Sequence, residues 1–230
     1  MGVLEAIDVS KTYFEGGNSY EILKGVDLSV ERGEVVALEG RSGSGKTTLL
    51  SILGCIMQPT KGAVVLDGNE IGAATAVRAR REYLGFVFQN CNLIPALTAH
   101  RAVSYVLRLK GWTRRAARPE AERILALVGL EDRTHHLPRE LSGGEKQRVA
   151  IARAMAGDPP IILADEPTAN LDSETAAEIL RLFRKLAKEH KRALLIVTHD
   201  NAVRGIADRV LYLRDGGLEQ VRDREPVVRT

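Results

Sequence analysis

The sequence predicts an α/β fold: a mostly parallel sheet flanked by helices, an antiparallel β layer towards the N-terminus, and a helical subdomain inserted into the core. Three observations predict it. A compact apolar run at residues 35–38 leads through a glycine-rich loop at 40–45 into an apolar-faced helix at 47–56. After residue 141, helices and strands alternate, as crossover connections in a parallel sheet require. Between these regions, residues 98–130 switch to helical periodicity.

In chain order, residues 4–9 and 26–30 alternate apolar and polar side chains and read as strands. The turn Glu31-Arg32-Gly33-Glu34 separates 26–30 from 35–38 and predicts a hairpin between them in the antiparallel layer. Residues 64–66, before Asp67-Gly68, and 85–88 are further strands. In the helical stretch, Ala102, Tyr105, Val106 and Leu109 define one apolar face, and Ile124, Leu127 and Val128 another. The basic run from Thr113 to Pro119 between them reads as a solvated surface. Beyond Leu141 the order is helix, strand (161–164), helix (174–189), strand (194–198), helix and strand (210–213). One domain is expected, with residues 1–88 and 142–220 as core, about 90–141 as helical subdomain and 223–230 as a frayed tail.

Composition narrows the function classes. The chain has 230 residues, 44% apolar and 27% charged, the balance of an ordinary globular protein. Its net charge of +3, from 33 basic and 30 acidic residues, is too small an excess to predict a nucleic-acid partner. Apolar runs are strand-length, far short of the ~20 residues that span a bilayer. The N-terminus lacks a basic region followed by an apolar one, so no signal peptide is expected, and Ala6 argues against myristoylation at Gly2. Cys55 and Cys91 are not at metal-binding or C-x-x-C spacing, which suits a reducing compartment and simple packing.

Chemistry concentrates at three places. Gly40-Arg41-Ser42-Gly43-Ser44-Gly45-Lys46-Thr47 matches G-x-x-x-x-G-K-[ST] and sits between a strand and a helix, as the mechanism of a phosphate cradle demands. Glycines let backbone N–H groups wrap phosphate oxygens, and the helix N-terminus adds roughly half a positive charge facing them. Lys46 is placed to reach the β- and γ-phosphates, the Thr47 hydroxyl to ligate Mg2+, and Thr48 to join the nucleotide site. The core is therefore of the P-loop NTPase kind, with ATP and Mg2+ as ligands.

The second place is the apolar strand at 161–164, which ends in Asp165-Glu166 and so sets two carboxylates at the carboxyl edge of a parallel sheet, where ligands of α/β folds bind. Asp165 is expected to hold Mg2+ through water and Glu166 to orient or deprotonate the attacking water. The third is Leu141-Ser142-Gly143-Gly144-Glu145, before an apolar helical run. Ser142 and Glu145 form an S-x-x-E capping box, while the Gly143-Gly144 pair weakens a first helical turn unless backbone N–H groups must approach an anion.

With these residues in place, the chain resembles the ATP-binding subunits of ABC transporters over nearly its whole length; Leu141 to Glu145 matches the signature element of that family without change. The resemblance implies that Ser142, Gly143, Gly144 and Glu145 contact ATP held by the P-loop of a second copy, so that two chains sandwich ATP head to tail. It implies that Tyr13, at a strand end, stacks on adenine. It implies that Gln89 touches Mg2+ or the attacking water and senses a membrane partner, that Asn170, Leu171 and Asp172 cross the dimer interface, and that His199 hydrogen-bonds the γ-phosphate. Asp172-Ser173 fits a helix cap equally well.

Within the family, the segments Leu53-Gly54-Cys55, Gly85 to Gln89, Asn92 to Pro95 and Ala164 to Ser173 are similar to cassettes of the lipoprotein-release and macrolide-efflux type. Arg41, Thr47 and His100-Arg101 depart from that pattern, the last pair near the expected permease groove. The expected function is an ATPase subunit on the inner face of the cell membrane, driving a separate transmembrane permease. The alternative is a non-transport ABC ATPase with a soluble partner. The coiled-coil ATPases of DNA repair need a longer insertion than residues 89–141, and translation-type members carry two cassettes where this chain has one.

Overall fold

The computed structural model describes residues 2–221. The expected tail at 223–230 lies outside them. Among the described residues, ten strands form two sheets. β1 (Leu4–Glu15), β2 (Asn18–Val30), β4 (Lys61–Leu66) and β5 (Asn69–Glu70) make an antiparallel sheet in the order β2-β1-β4-β5. The second sheet contains β3 (Val35–Glu39), β6 (Leu84–Val87), β7 (Ile161–Asp165), β8 (Ala193–Val197), β9 (Arg209–Arg214) and β10 (Gly217–Val221), in the order β10-β9-β3-β8-β7-β6. All its pairings are parallel except β9 with β10.

The continuous apolar runs of β3, β7 and β8 are explained by burial on both faces. Val35, Ala37, Ile162, Ala164, Leu194 and Ile196 point into a core shared with the helices. Their neighbours Val36, Leu38, Ile161, Leu163, Leu195 and Val197 point into a second core shared with the antiparallel sheet and α1 (Lys46–Leu53). The six-stranded sheet is thus the middle layer of the molecule.

The predicted hairpin between 26–30 and 35–38 does not form. β2 pairs with β1, and β3 lies in the other sheet between β8 and β9. The reason is burial: β2 alternates and keeps one wet face, whereas all five residues of β3 are buried and need cover on both sides. The true hairpin joins β1 and β2 through Gly16-Gly17, whose φ angles of 56° and 83° suit a tight reversal.

Helices α2 (Ala76–Tyr83), α3 (Ala99–Leu109), α4 (Arg114–Leu127), α5 (Gly143–Met155) and α6 (Ser173–His190) complete the fold. α2, β5 and β10 are elements the sequence pattern did not announce. The expected face of α3 is rotated: Ala99, Ala102, Val103 and Leu107 are buried, while Tyr105 and Leu109 are about half exposed. Small alanines let α4 and α5 approach that side, so contact selects it over the side with the larger residues. The basic run belongs to the first turns of α4, capped by Thr113, whose hydroxyl accepts from Ala116 N–H. The helix expected after β8 is a single 3-10 segment, Asn201–Gly205.

Candidate active site

A cleft of about 670 Å³ opens where the carboxyl ends of the parallel strands meet the β1–β2 hairpin. It is lined by Tyr13, Ser42, Gly43, Gly45, Lys46, Thr47, Thr48, Gln89, Asp165, Glu166 and His199, all expected from sequence, and by Glu15, Tyr20, Ile22 and Val197, which were not. The tertiary fold draws these residues from six separate segments.

The floor is the loop between β3 and α1. Gly45 is the N-cap of α1 with φ 101°, and a Cβ there would stand 2.9 Å from Ile22 Cγ2, so glycine is required by both conformation and space. No side chain caps α1 and its first turn holds no acid. The helix therefore presents unsatisfied N–H donors and its positive end to the cleft, the arrangement that favours a phosphate. Lys46 Nζ donates to the carbonyls of Gly40 (2.8 Å) and Arg41 (3.0 Å), which holds the ammonium against the loop. Ser44 Oγ is buried without a hydrogen-bond partner among the described residues, a polar atom left over inside the same loop. Gly40 and Ser44 do not line the cleft.

Asp165 ends β7, and burial, reinforced by the adjacent Glu166 carboxylate, pushes its pKa up while Lys46 opposes the shift. A desolvated carboxylate facing a cleft is a site that gains from a cation. With the Thr47 hydroxyl and the Gln89 carboxamide it supplies the oxygen donors that suit Mg2+. Among the described residues there is no group of three or more His, Cys, Asp or Glu that could hold a metal ion by itself.

Glu166 continues the sheet ladder, donating its N–H to Val197 carbonyl at 2.8 Å, and then turns with φ 45°. Its carboxylate Oε1 lies 2.6 Å from His199 Nδ1, and Oε2 accepts from His199 N–H at 3.3 Å. The expected base and the histidine expected at the γ-phosphate thus meet directly across the ends of β7 and β8. Tyr13 lies within β1 instead of at a strand end, because the strand runs on to Glu15. Its hydroxyl bonds Met57 Sδ at 3.2 Å and its ring lies 5.5 Å from Lys11 Nζ. Tyr20 is its cross-strand partner. The Gly16-Gly17 turn was the sequence signal that could have found Tyr20, Glu15 and Ile22.

Ser142, Gly143, Gly144 and Glu145 do not line this cleft, nor do Asn170, Leu171 and Asp172. These two sets meet each other instead. Both arms of the capping box form, with Ser142 N–H to Glu145 Oε2 at 2.8 Å and Glu145 N–H to Ser142 Oγ at 3.2 Å. The Ser142 N–H and Arg133, at 2.9 Å, hold the Glu145 pKa down. Asp172 caps α6 through the N–H groups of Glu174 and Thr175, so its cap role is realised. Gly144 has a packing reason that the anion argument did not include: a Cβ there would stand 2.4 Å from Thr175 Cγ2. Gly143 has no such constraint, its nearest neighbour being Leu171 Cδ2 at 3.5 Å. His100 is used internally, its Nε2 lying 3.2 Å from the Arg118 carbonyl of α4.

Residues 23–169 match the family described as ABC transporter. The lipoprotein-releasing system ATP-binding protein LolD of Porphyromonas gingivalis is 45% identical over 219 residues, covering 94% of this chain and 98% of its own. The macrolide export ATP-binding/permease protein MacB of Rhodopirellula baltica is 44% identical over 232 residues, 98% of this chain but 34% of its own length. The dimeric structure of the cassette MJ0796 bound to ADP and Pi superposes with a TM-score of 0.85 at 41% identity, covering 96% of this chain and 99% of its own.

Proposed function

The chain belongs to the ABC transporter family as an ATP-hydrolysing subunit, and we propose that it closes head to tail with a second copy around Mg-ATP to power a separate permease. The proposed permease is of the lipoprotein-release or macrolide-export kind. One observation carries this reading: a single chain gathers cradle, acids, Gln89 and His199 in one cleft, yet leaves the signature turn outside it. A second copy would bring that turn to the cleft.

In the proposed mechanism Tyr13 holds the adenine ring, and Ser42 to Thr48 wrap the phosphates with N–H groups and hydroxyls. Lys46 exchanges its two carbonyl partners for the terminal phosphate oxygens. Thr47, Gln89 and Asp165 would hold Mg2+, which when bound neutralises phosphate charge and orients the terminal group. Glu166 accepts the proton of the attacking water, and His199, released from the 2.6 Å contact with Glu166, hydrogen-bonds the departing phosphate. Ser142, Gly143 and Gly144 of the second copy complete the cage, with Asn170, Leu171 and Asp172 at the seam.

No helix of the described residues is long and apolar enough to cross a membrane. The proposed location is therefore peripheral, at the inner face, through the permease. The test is the Glu166→Gln variant: with Mg-ATP it should run as a dimer on size exclusion and, from solubilised membranes, retain a multi-span permease. A monomer under saturating ATP, or capture of soluble partners alone, would refute the reading.

A further inference from the structure

The backbone just beyond Gln89 is fastened from three sides. Cys91 and Asn92 both lie in the left-handed region, at φ 58° and 45°, a conformation that asparagine tolerates but that is costly for Cys91. What holds them comes largely from α5. The Arg153 guanidinium donates to the carbonyls of Asn92 at 2.6 Å and Cys91 at 2.7 Å. The Cys91 thiol donates to Gln147 Oε1 at 2.8 Å, on a glutamine that is 2% exposed. Beside them, Asn170 Nδ2 donates to Asn90 Oδ1 at 3.4 Å.

Arg153 makes no ion pair among the described residues, so its charge is committed to these two carbonyls. Burial lowers its pKa, as expected for a cation taken from water without a carboxylate. α5 is also seated directly on β6, the strand that leads to Gln89. A Cβ on Gly85 would stand 2.1 Å from the Ala154 carbonyl oxygen, so only glycine allows this approach. The other end of α5 is the signature turn, about 16 Å away along the axis for the 11 residues from Ser142 to Arg153.

Resting on the ATP-sandwich reading above, we propose that Arg153 and Gln147 are positioning residues that lock residues 90–92 to α5. A displacement of the signature turn on closure with the second copy is thereby transmitted to Gln89 in the same chain's own cleft. Each chain would then sense at its own Mg2+ site whether its signature turn has engaged the ATP of the other. Neither residue touches nucleotide; both act through the loop.

Hydrogen exchange followed by mass spectrometry tests this in the Glu166→Gln background, comparing the parent with added Cys91→Ala, Arg153→Lys or Arg153→Met. In the parent, ATP should protect peptides covering residues 142–148 and 88–93 together. In the added variants, protection of 142–148 should persist, while that of 88–93 falls about tenfold with Arg153→Met and less with the other two. With Glu166 restored, Arg153→Met should lower kcat about tenfold with KM within about twofold, and Arg153→Lys should recover part of the loss. Cys91→Ala removes only a thiol and guards against a misfolded arginine variant. Parent-like protection of 88–93 with unchanged kcat in Cys91→Ala and Arg153→Lys would overturn the proposal. Loss of protection at 142–148 in the parent itself would instead overturn the sandwich reading beneath it.

Discussion

The molecule carries two glycine-bearing turns at helix N-termini, and they are built on opposite principles. At residues 40–45 the loop is shaped by backbone conformation, the N-cap Gly45 is left-handed, and no side chain caps α1. At residues 142–145 the glycines are inside the helix, and Ser142 and Glu145 satisfy each other's N–H groups. The first turn leaves its donors for a ligand within the same chain's cleft. The second is complete as a local structure and stays outside that cleft. An uncapped end fits strong and independent binding of phosphate. A capped end with one unconstrained glycine, Gly143, fits a contact made only when another surface arrives.

That contrast can be broken most forcefully at the chemistry. Glu166→Gln should lower ATP turnover by about 10²–10⁴-fold while leaving nucleotide binding to the single chain intact, measured by phosphate release beside equilibrium binding. Lys46→Ala should weaken binding itself, whereas Gly143→Asp at the other turn should spare binding by the single chain and abolish dimerisation. Equal loss of monomer binding in both would erase the distinction between the turns.

The next effect is one of packing. Gly144→Ala sets a methyl group against Thr175 Cγ2, where 2.4 Å is available, and should destabilise the fold by about 1–3 kcal/mol. Thr175→Ser in the same chain, by removing Cγ2, should restore most of the thermal midpoint. Failure of that rescue would return Gly144 to the anion argument alone. Ser142→Ala should cost about 1 kcal/mol through the lost cap, a drop of about 2–4 °C for a domain of this size.

The smallest effect concerns Asp165. Its pKa is raised on folding, so the folded chain binds that proton more tightly than the unfolded one. Its contribution to stability is full at pH below the ordinary carboxylate range and is lost as pH rises through the raised value. Asp165→Asn should therefore raise the thermal midpoint of the nucleotide-free chain at neutral pH, and the gain should vanish in acid. The same variant should lose Mg-dependent hydrolysis, so the residue costs stability where it serves function.

Much of the cleft was legible because its motifs are local. A strand, a glycine loop, Lys46 and Thr47 are contiguous, and Asp165-Glu166 directly ends an apolar strand. Glu15, Tyr20 and Ile22 were not legible, since their place depends on β1 pairing with β2, and the turn at residues 31–34 suggested the wrong hairpin. Outside the cleft, the pairing of Glu39 with Arg204 was not legible either. Glu39 ends β3 before the loop, 7% exposed, and Arg204 Nε reaches its Oε1 at 2.6 Å from 165 residues away.

The sequence alone determined the class of fold, the phosphate cradle, the carboxylates at the strand end and the capped signature turn, because each is specified by residues within one or two turns of one another. Tertiary structure decided which sheet β3 joins, which face of α3 is buried and why Gly144 must be glycine. It also decided that Glu166 and His199 meet while the signature turn stays apart. Those outcomes depend on burial and close approach between segments far apart in the chain, and such contacts have no period or spacing that a linear pattern can carry.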